Sequence, residues 1–434
     1  MSRLIADDLF AGAGGWDVAA DWLDIHARGV ENMPAARATR DAAGLTTAHD
    51  DVWTYKPRYT GRDLQASGLI ASPPCQTFSS AGKGSGRKAL DDVLTVLPQV
   101  KGMTLAELRT AGEVFGDDRT ALVLTPLWFA LHHPYRWLAW EQVPTVLPVW
   151  EACAVVLREA GFSVWTGYLH AEQYGVPQTR KRAFLIASRD LEVSPPTPTH
   201  SRYYSRSPEK LDPGVAKWVS MAEALGWAED TRVVSNYGSG GDPANRGVRT
   251  ADQPAATVTS KVDRNVVLRG SNNAHAAIRH MDHPAPTMLF GHCSNDVRWY
   301  PEGTTQRGVA ETAAGRDPES RRVTVTEAGI LQSFPATHPW QGTQSKRYLQ
   351  AGNAVPPLLA MAALCAALGE PYVPPAMYAA ADAEQPALDG LCQSPSGVTG
   401  PVHRPVTHPA ATVTGADNYY IHPTSQCHKT LASN

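Results

Sequence analysis

Cysteine is scarce in this chain and poorly placed for cross-linking. Its six cysteines (Cys75, Cys153, Cys293, Cys365, Cys392 and Cys427) are scattered over 434 residues, and no two form a Cys-x-x-Cys pair. That spacing argues against a zinc ribbon and offers no disulfide framework, so a reducing cytoplasm is the expected compartment. A surplus of positive charge is missing too, since the formal net charge is −3. Proteins that coat RNA non-specifically are usually far more basic. A nucleic-acid enzyme with this balance must gather its Lys and Arg on one face. No uninterrupted apolar run reaches the roughly 18 residues of a membrane span. The start, Met1-Ser2-Arg3-Leu4-Ile5, lacks the apolar core of a signal peptide.

What is present suits a globular protein with one large domain and a smaller one, at 43% hydrophobic and 19% charged residues. Leu4 to Phe10 reads as a strand running into a glycine turn at Gly12, Gly14 and Gly15, with a helix ending near Trp22-Leu23. Further strands end near Gly29-Val30-Glu31, at Leu69-Ile70-Ala71, at Trp137 to Trp140, and at Ala183 to Ala187. Val149 to Ala160 and Leu358 to Leu368 read as helices, the second apolar enough to pack on the main sheet. Strands alternating with helices predict an α/β fold with a parallel, helix-covered sheet.

After Arg189 the texture changes. Residues 190–320 are rich in Pro, Gly, Thr, Asn and Arg, which predicts a small, loop-rich, mostly β domain. Asp252-Gln253-Pro254-Ala255-Ala256-Thr257 resembles Asp282-His283-Pro284-Ala285-Pro286-Thr287, and Thr407-His408-Pro409-Ala410-Ala411-Thr412 is a third copy. Too few and too unevenly spaced for a solenoid, these units read as a turn-then-strand element or as a nucleic-acid-facing hairpin. Residues 321–375 return to regular structure, with a short helix over Val325 to Gln332. Residues 376–434 form a Pro- and Gly-rich extension, expected to fold back beside the 190–320 region.

Two centres carry chemistry. A strand ending in Phe10-Ala11-Gly12-Ala13-Gly14-Gly15 lets backbone approach a ligand just before a helix N-terminus. Glu31, after the next strand, stands where an acid holds ribose hydroxyls, and Asp51 is placed to accept from an adenine amino group. The second centre is Ser72-Pro73-Pro74-Cys75-Gln76, in which two prolines present a cysteine from a strand end instead of burying it. Core packing remains the usual fate of an unplaced cysteine.

These residues, taken together, resemble the DNA cytosine-5 methyltransferases. The resemblance rests on Phe10-Ala11-Gly12-x-Gly14-Gly15, Pro73-Pro74-Cys75-Gln76-x-Phe78-Ser79, Asp118-Arg119-x-x-Leu122 and Glu141-Gln142-Val143. It continues through Gln178-Thr179-Arg180-Lys181-Arg182, Thr326-Glu327 to Phe334-Pro335, and Gly352-Asn353-Ala354-Val355-Pro356, in the family's order. It covers roughly residues 4–189 and 321–370 and implies a Rossmann-like domain that binds S-adenosyl-L-methionine, with 190–320 as the target-recognition domain. The implied catalytic set is Cys75 as nucleophile at C6, Glu141 as the acid at N3, Arg182 at O2 and Arg180 holding the site, with Gln76 and Ser79 closing over the base. Phe10, Gly12, Gly14, Glu31, Asp51, Leu122, Asn353 and Val355 are the implied cofactor residues. No metal is expected. Double-stranded DNA is the implied partner, its cytosine flipped out of the stack, and the enzyme is expected to be a monomer with room for a cognate restriction endonuclease.

The chemistry agrees with that assignment. A thiolate adding at C6 breaks the ring's aromaticity and makes C5 nucleophilic, more readily when N3 gains a proton. Such a glutamate needs a raised pKa. Arg180 and Arg182 also read as phosphate contacts or surface pairs. The loop Gly82 to Lys88 is expected to close over the base, with Lys83, Arg87 and Lys88 on phosphates. Arg246, Arg249, Arg264, Arg269, Arg279 and Arg298 are candidates for guanine edges. Two departures stand out. Gln142 replaces the family's usual Asn, and about 89–116 is an extra segment with two helix-like stretches, Leu90 to Leu97 and Thr104 to Phe115, which read as a surface insertion, a lid or an added DNA contact. A tRNA cytosine-5 methyltransferase on the same scaffold and a catalytically dead DNA-binding protein are the alternatives. The large variable region favours DNA over the first, and the intact catalytic set opposes the second.

Overall fold

The computed structural model describes residues 4–59, 67–74, 85–114, 118–226 and 323–377; residues 85–89, 113–114 and 118–119, and short strands between 232 and 421, are described by backbone alone. The first half runs β1 (Leu4–Leu9), α1 (Gly15–Trp22), β2 (Ile25–Val30), α2 (Pro34–Ala42), β3 (Thr47–His49) and β4 (Ser67–Ala71). It continues with α3 (Ser85–Val96), α4 (Leu105–Val114), α5 (Thr125–His132), β5 (Trp137–Gln142), α6 (Leu147–Glu159), β6 (Ser163–His170), β7 (Gln178–Thr179) and β8 (Lys181–Ser188).

Seven strands form one sheet in the order β3-β2-β1-β4-β5-β8-β6. All neighbours pair in parallel except around β8, which runs antiparallel between β5 and β6. Strand order reverses between β1 and β4, so their carboxyl ends open a crevice there, where such sheets bind ligands. β4 and β5 are buried along their whole length because helices cover both sheet faces. On one face Leu9, Leu69, Leu138 and Leu185 pack with α5 and α6 residues such as Leu127 and Trp150. On the other, Ala6, Ile70, Ala139 and Phe184 pack with Trp16 and Ala19 of α1.

The remainder brings α7 (Met221–Leu225), β9 (Arg232–Ser235), β10 (Ala277–His280), β11 (Ala285–Pro286), β12 (Val297–Tyr300) and β13 (Arg321–Arg322). It closes with α8 (Val325–Leu331), α9 (Gln344–Asn353), α10 (Pro357–Leu368), and a tail pairing of β14 (Leu391–Gln393) with β15 (Tyr419–Ile421). β10, β9, β12 and β13 form a small antiparallel sheet, and β11, inside the second Pro-Ala-x-Thr unit, pairs with β7. Residues 191–226 run back along the large sheet's side: Val193 joins the core, and Tyr174 donates its hydroxyl to the Pro196 carbonyl at 3.0 Å.

Capping explains α8: Thr324 accepts from the Glu327 N–H, and the Glu327 carboxylate accepts from the Thr324 N–H. Ser333 Oγ accepts from the Leu358 N–H at 3.1 Å, satisfying an orphan donor in the first turn of α10. α10 has apolar side chains on every side and lies sandwiched between α1 and the sheet. The stretch Gln344–Leu368 is long and apolar enough to cross a membrane by length and composition alone, but most of it is spent on this interior packing.

Several elements were not visible in the sequence. β6 is an edge strand whose middle is only partly buried, so its apolar alternation is weak. α5 and α9 are short, and short apolar or polar runs carry little periodicity. The loop expected over Gly82 to Lys88 is corrected in its second half. Ser85 to Lys88 are the first turn of α3, because the helix that seats Val93 in the core extends back to them. Gly82, Lys83 and Gly84 lie outside the described residues, as do the side chains of Arg87 and Lys88.

Candidate active site

The glycine turn is built as its residue types require. Phe10, Gly12 and Gly14 have φ of 64°, 56° and 97°, in the left-handed region that favours glycine. Phe10 pays that conformational cost without being glycine, at the point where the chain leaves β1. A side chain at Gly14 would strike Leu45, and one at Gly15 would stand 2.2 Å from the Val355 carbonyl oxygen. That second contact locks the last motif against the first. Around Gly12, by contrast, the space is open.

Glu31 braces this turn. One carboxylate oxygen accepts from the Gly12 N–H at 2.8 Å and the other from the Met33 N–H at 2.6 Å. Asp51 lies beyond β3, its Oδ1 accepting from the Trp53 N–H at 3.0 Å. Leu122 and Phe10 pack against the same core cluster. Val355 is buried, and Asn353 is exposed at the end of α9. An open backbone approach at Gly12 beside a braced carboxylate, with a second acid beyond the next strand, fits an adenosine-bearing cofactor.

Beneath the turn lies an ionic cluster that sequence reading missed. Arg40 of α2 is fully buried and grips Asp17 of α1 with two nitrogens at 2.6 and 2.7 Å. It also donates to the Thr46 carbonyl at 2.8 Å. Asp8 is buried beside them, and neither of its oxygens meets a donor among the described residues. Burial and the adjacent Asp17 hold its pKa well above the ordinary carboxyl range, which favours its protonated form.

The reaction side gathers at the ends of β4, β5 and β8. Glu141 is buried at the end of β5, and Arg182 Nε stands 3.1 Å from its Oε1. Ser72, leaving β4, donates from Oγ to Glu141 Oε2 at 3.2 Å, and Trp16 Nε1 donates to that Oγ at 2.9 Å. Burial raises the Glu141 pKa against Arg182, Arg180 and the Ser72 hydroxyl, which pull it down. The result is a carboxyl kept ready to hold a proton. Arg180 donates to the Gly352 carbonyl at 3.1 Å, tying β7–β8 to the last motif. Its own N–H reaches Glu172, a carboxyl that burial pushes up to about 7.

Cys75 and Gln76 lie outside the described residues, as does Ser79; Pro74 is the last described residue before them. Two other cysteines are buried, and burial raises both thiols, Cys365 to about 11, so neither is a ready thiolate. The Gln142 departure has a structural use. Its amide nitrogen donates to the Pro73 carbonyl, while its amide oxygen accepts from the Val143 N–H. It thereby ties the strand that carries Glu141 to the segment that leads to Cys75. Gln142→Leu strands both partners and should cost about 1–3 kcal/mol in a urea titration. An unchanged midpoint would show that the tie has no energetic weight.

Comparison with known proteins supports the same assignment. The family model described as C-5 cytosine-specific DNA methylase matches residues 5–96 and 147–367. Type II methyltransferase M1.HphI of Haemophilus parahaemolyticus is 26% identical over 372 residues, covering 82% of this chain and 84% of that protein. Type II methyltransferase M.XorII of Xanthomonas oryzae is 28% identical, covering 83% of this chain and 84% of its own. Among solved structures, the Dnmt2 methyltransferase of S. pombe has a TM-score of 0.48 at 16% identity, covering 85% of this chain and 99% of that one. With the family model spanning most of the chain, including the glycine turn, the Pro-Pro-Cys-Gln run and the paired arginines, the chain belongs to the C-5 cytosine-specific DNA methylase family and is a site-specific DNA cytosine-5 methyltransferase.

Proposed function

We propose that Cys75 is the nucleophile of this methyltransferase and Glu141 its acid, acting on a cytosine flipped out of double-stranded DNA. The single observation that carries the reading is the position of Glu141. It is buried with a raised pKa, held between Ser72 and Arg182, and Ser72 lies three residues before Cys75.

The cysteine sulfur bonds to C6 while Glu141 places a proton on N3, so the ring electrons move toward C5. Arg182, paired with Glu141, binds the O2 side, Arg180 holds the site, and Gln76 closes over the base. S-adenosyl-L-methionine supplies an electrophilic methyl group on a positively charged sulfur. Phe10, Gly12, Gly14, Glu31, Asp51, Leu122, Asn353 and Val355 hold it. C5 would bond to that methyl group as its bond to sulfur breaks, leaving the donor as a neutral thioether, and a base outside the named residues then takes the C5 proton. The C5–C6 double bond re-forms as the thiolate leaves, and the N3 proton returns to Glu141.

The same reading sets the domains. Residues 1–189 and 321–375 form the catalytic unit, with an insertion at about 89–116. Residues 190–320 choose the target, and 376–434 are an extension. The enzyme works as a monomer in the cytoplasm of a prokaryotic or phage-infected cell, with room for a cognate restriction endonuclease as counterpart. Its similarity to bacterial proteins named type II methyltransferases supports the endonuclease counterpart. The test is duplex DNA carrying 5-fluorocytosine at the site found by bisulfite sequencing of an expressing cell's DNA. Fluorine blocks the elimination, so a denaturant-stable adduct is expected on Cys75 and on no other cysteine. Failure to form it with methyl donor present, or methyl transfer to tRNA instead of DNA, overturns the reading.

A further inference from the structure

The insertion is not an appendage. Val93 of α3, Leu97 and Val100 in the 3-10 turn that follows, and Leu108 of α4 are buried in the same cluster as Leu127 and Trp150. Trp128 of α5 donates from Nε1 to the Met103 carbonyl at 2.8 Å, pinning the link between α3 and α4. α4 packs on the 3-10 turn Asp118–Leu124, which carries Leu122. From the exposed side of α4, the Arg109 guanidinium carbon stands 5.9 Å from the centre of the Trp53 ring. Trp53 is the residue whose N–H holds Asp51 Oδ1. One helix therefore touches both Leu122's turn and Asp51's neighbour.

We propose that α4 forms an outer wall of the cofactor's adenosine end, with Arg109 a positioning residue that acts through Trp53 on Asp51. The proposal rests on Asp51 and Leu122 being cofactor residues. A guanidinium over the indole face keeps the Trp53 side chain from turning outward, and a held side chain steadies the Trp53 backbone, whose amide N–H donates to the Asp51 carboxylate. The insertion thereby gives the enzyme a grip on its methyl donor that is independent of DNA.

The test is calorimetric titration of the full chain with S-adenosylhomocysteine, alongside steady-state kinetics. Arg109→Ala should raise the dissociation constant about two- to fivefold, the size of a surface cation–π contact. KM for the methyl donor should rise by the same factor, with kcat and duplex affinity unmoved. Arg109→Lys should recover most of the loss. Trp53→Leu should weaken binding as well, and adding Arg109→Ala to it should change nothing more. Unchanged affinity in Arg109→Ala, or losses that simply add in the double variant, would overturn the proposal. Asp51→Asn separates the two readings. If it binds as the wild type does, the cofactor site is misassigned and the wall falls with it. If it weakens binding while Arg109→Ala does not, the wall alone is wrong.

Discussion

Glu141→Gln is expected to lower kcat by about 10²- to 10⁴-fold, the usual contribution of a positioned general acid. The amide keeps the size of the side chain and a hydrogen-bonding oxygen for Arg182, but it has no proton to place on N3. The cause is visible in the pKa. Burial raises the Glu141 carboxyl above its ordinary value although Arg182 and Arg180 stand nearby. In the proposed mechanism the protonated form is the working form, so activity should fall as pH rises through that raised value. The thiolate requirement acts in the opposite sense, and the wild-type profile should be bell-shaped. In Glu141→Gln the fall at high pH should vanish, leaving a rate that rises with thiolate and stays level. Single-turnover kinetics across pH 5–10 measure this. A variant within threefold of wild type, or one that keeps the alkaline fall, would remove Glu141 from the reaction.

Arg40→Met should cost about 3–5 kcal/mol of folding stability at neutral pH, the usual effect of removing one partner of a buried ion pair. Arg40 is the cation paired with Asp17, and its side chain is wholly buried. Without it the Asp17 carboxylate is left without its partner in a low dielectric. The neighbouring Asp8 has a raised folded pKa, so its stabilising contribution is complete at low pH and is lost as pH rises; Arg40 opposes that raise, so without Arg40 the raise grows and the deficit should shrink as pH is lowered. Arg40→Met combined with Asp17→Asn should recover most of the loss, because no charge is then left alone. Urea denaturation at pH 7 and pH 5 decides the matter. A cost below 1 kcal/mol, or no recovery in the double variant, would show that the cluster does not brace the turn.

The two predictions probe layers that differ in how far the sequence exposed them. Glu141 and Arg182 were named from their motifs, and the structure sets them 3.1 Å apart on adjacent strands. Phe10, Gly12, Gly14, Glu31 and Val355 were also named, and they meet at the end of β1 through the Gly12–Glu31 bond and the Gly15–Val355 contact. Arg40, Asp17, Asp8, Ser72 and Trp16 were not named. Each is an ordinary residue type in its local segment: a helical arginine, a first-turn aspartate, a strand-end serine. Their importance comes from partners distant in the chain, such as the 56 residues between Trp16 and Ser72 and the 69 between Ser72 and Glu141. The insertion shows the same limit. Its helices were legible from periodicity at Leu90 to Leu97 and Thr104 to Phe115, but periodicity does not say what an apolar face will meet.

The sequence by itself determined the chemistry of this protein. A thiol for C6, a carboxyl for N3, a glycine turn for close approach and acids for a nucleoside are demands on residue type, and residue type is what a sequence states. It also determined the fold class, because strand and helix periods follow from which faces must be buried. Only the tertiary structure decided how those groups are tuned. The raised pKa values of Glu141 and Asp8, the tie from Gln142 to Pro73, and the seating of α4 against Trp53 and the turn of Leu122 all depend on burial and distance. Burial and distance exist only once β1, β4, β5 and β8 lie side by side.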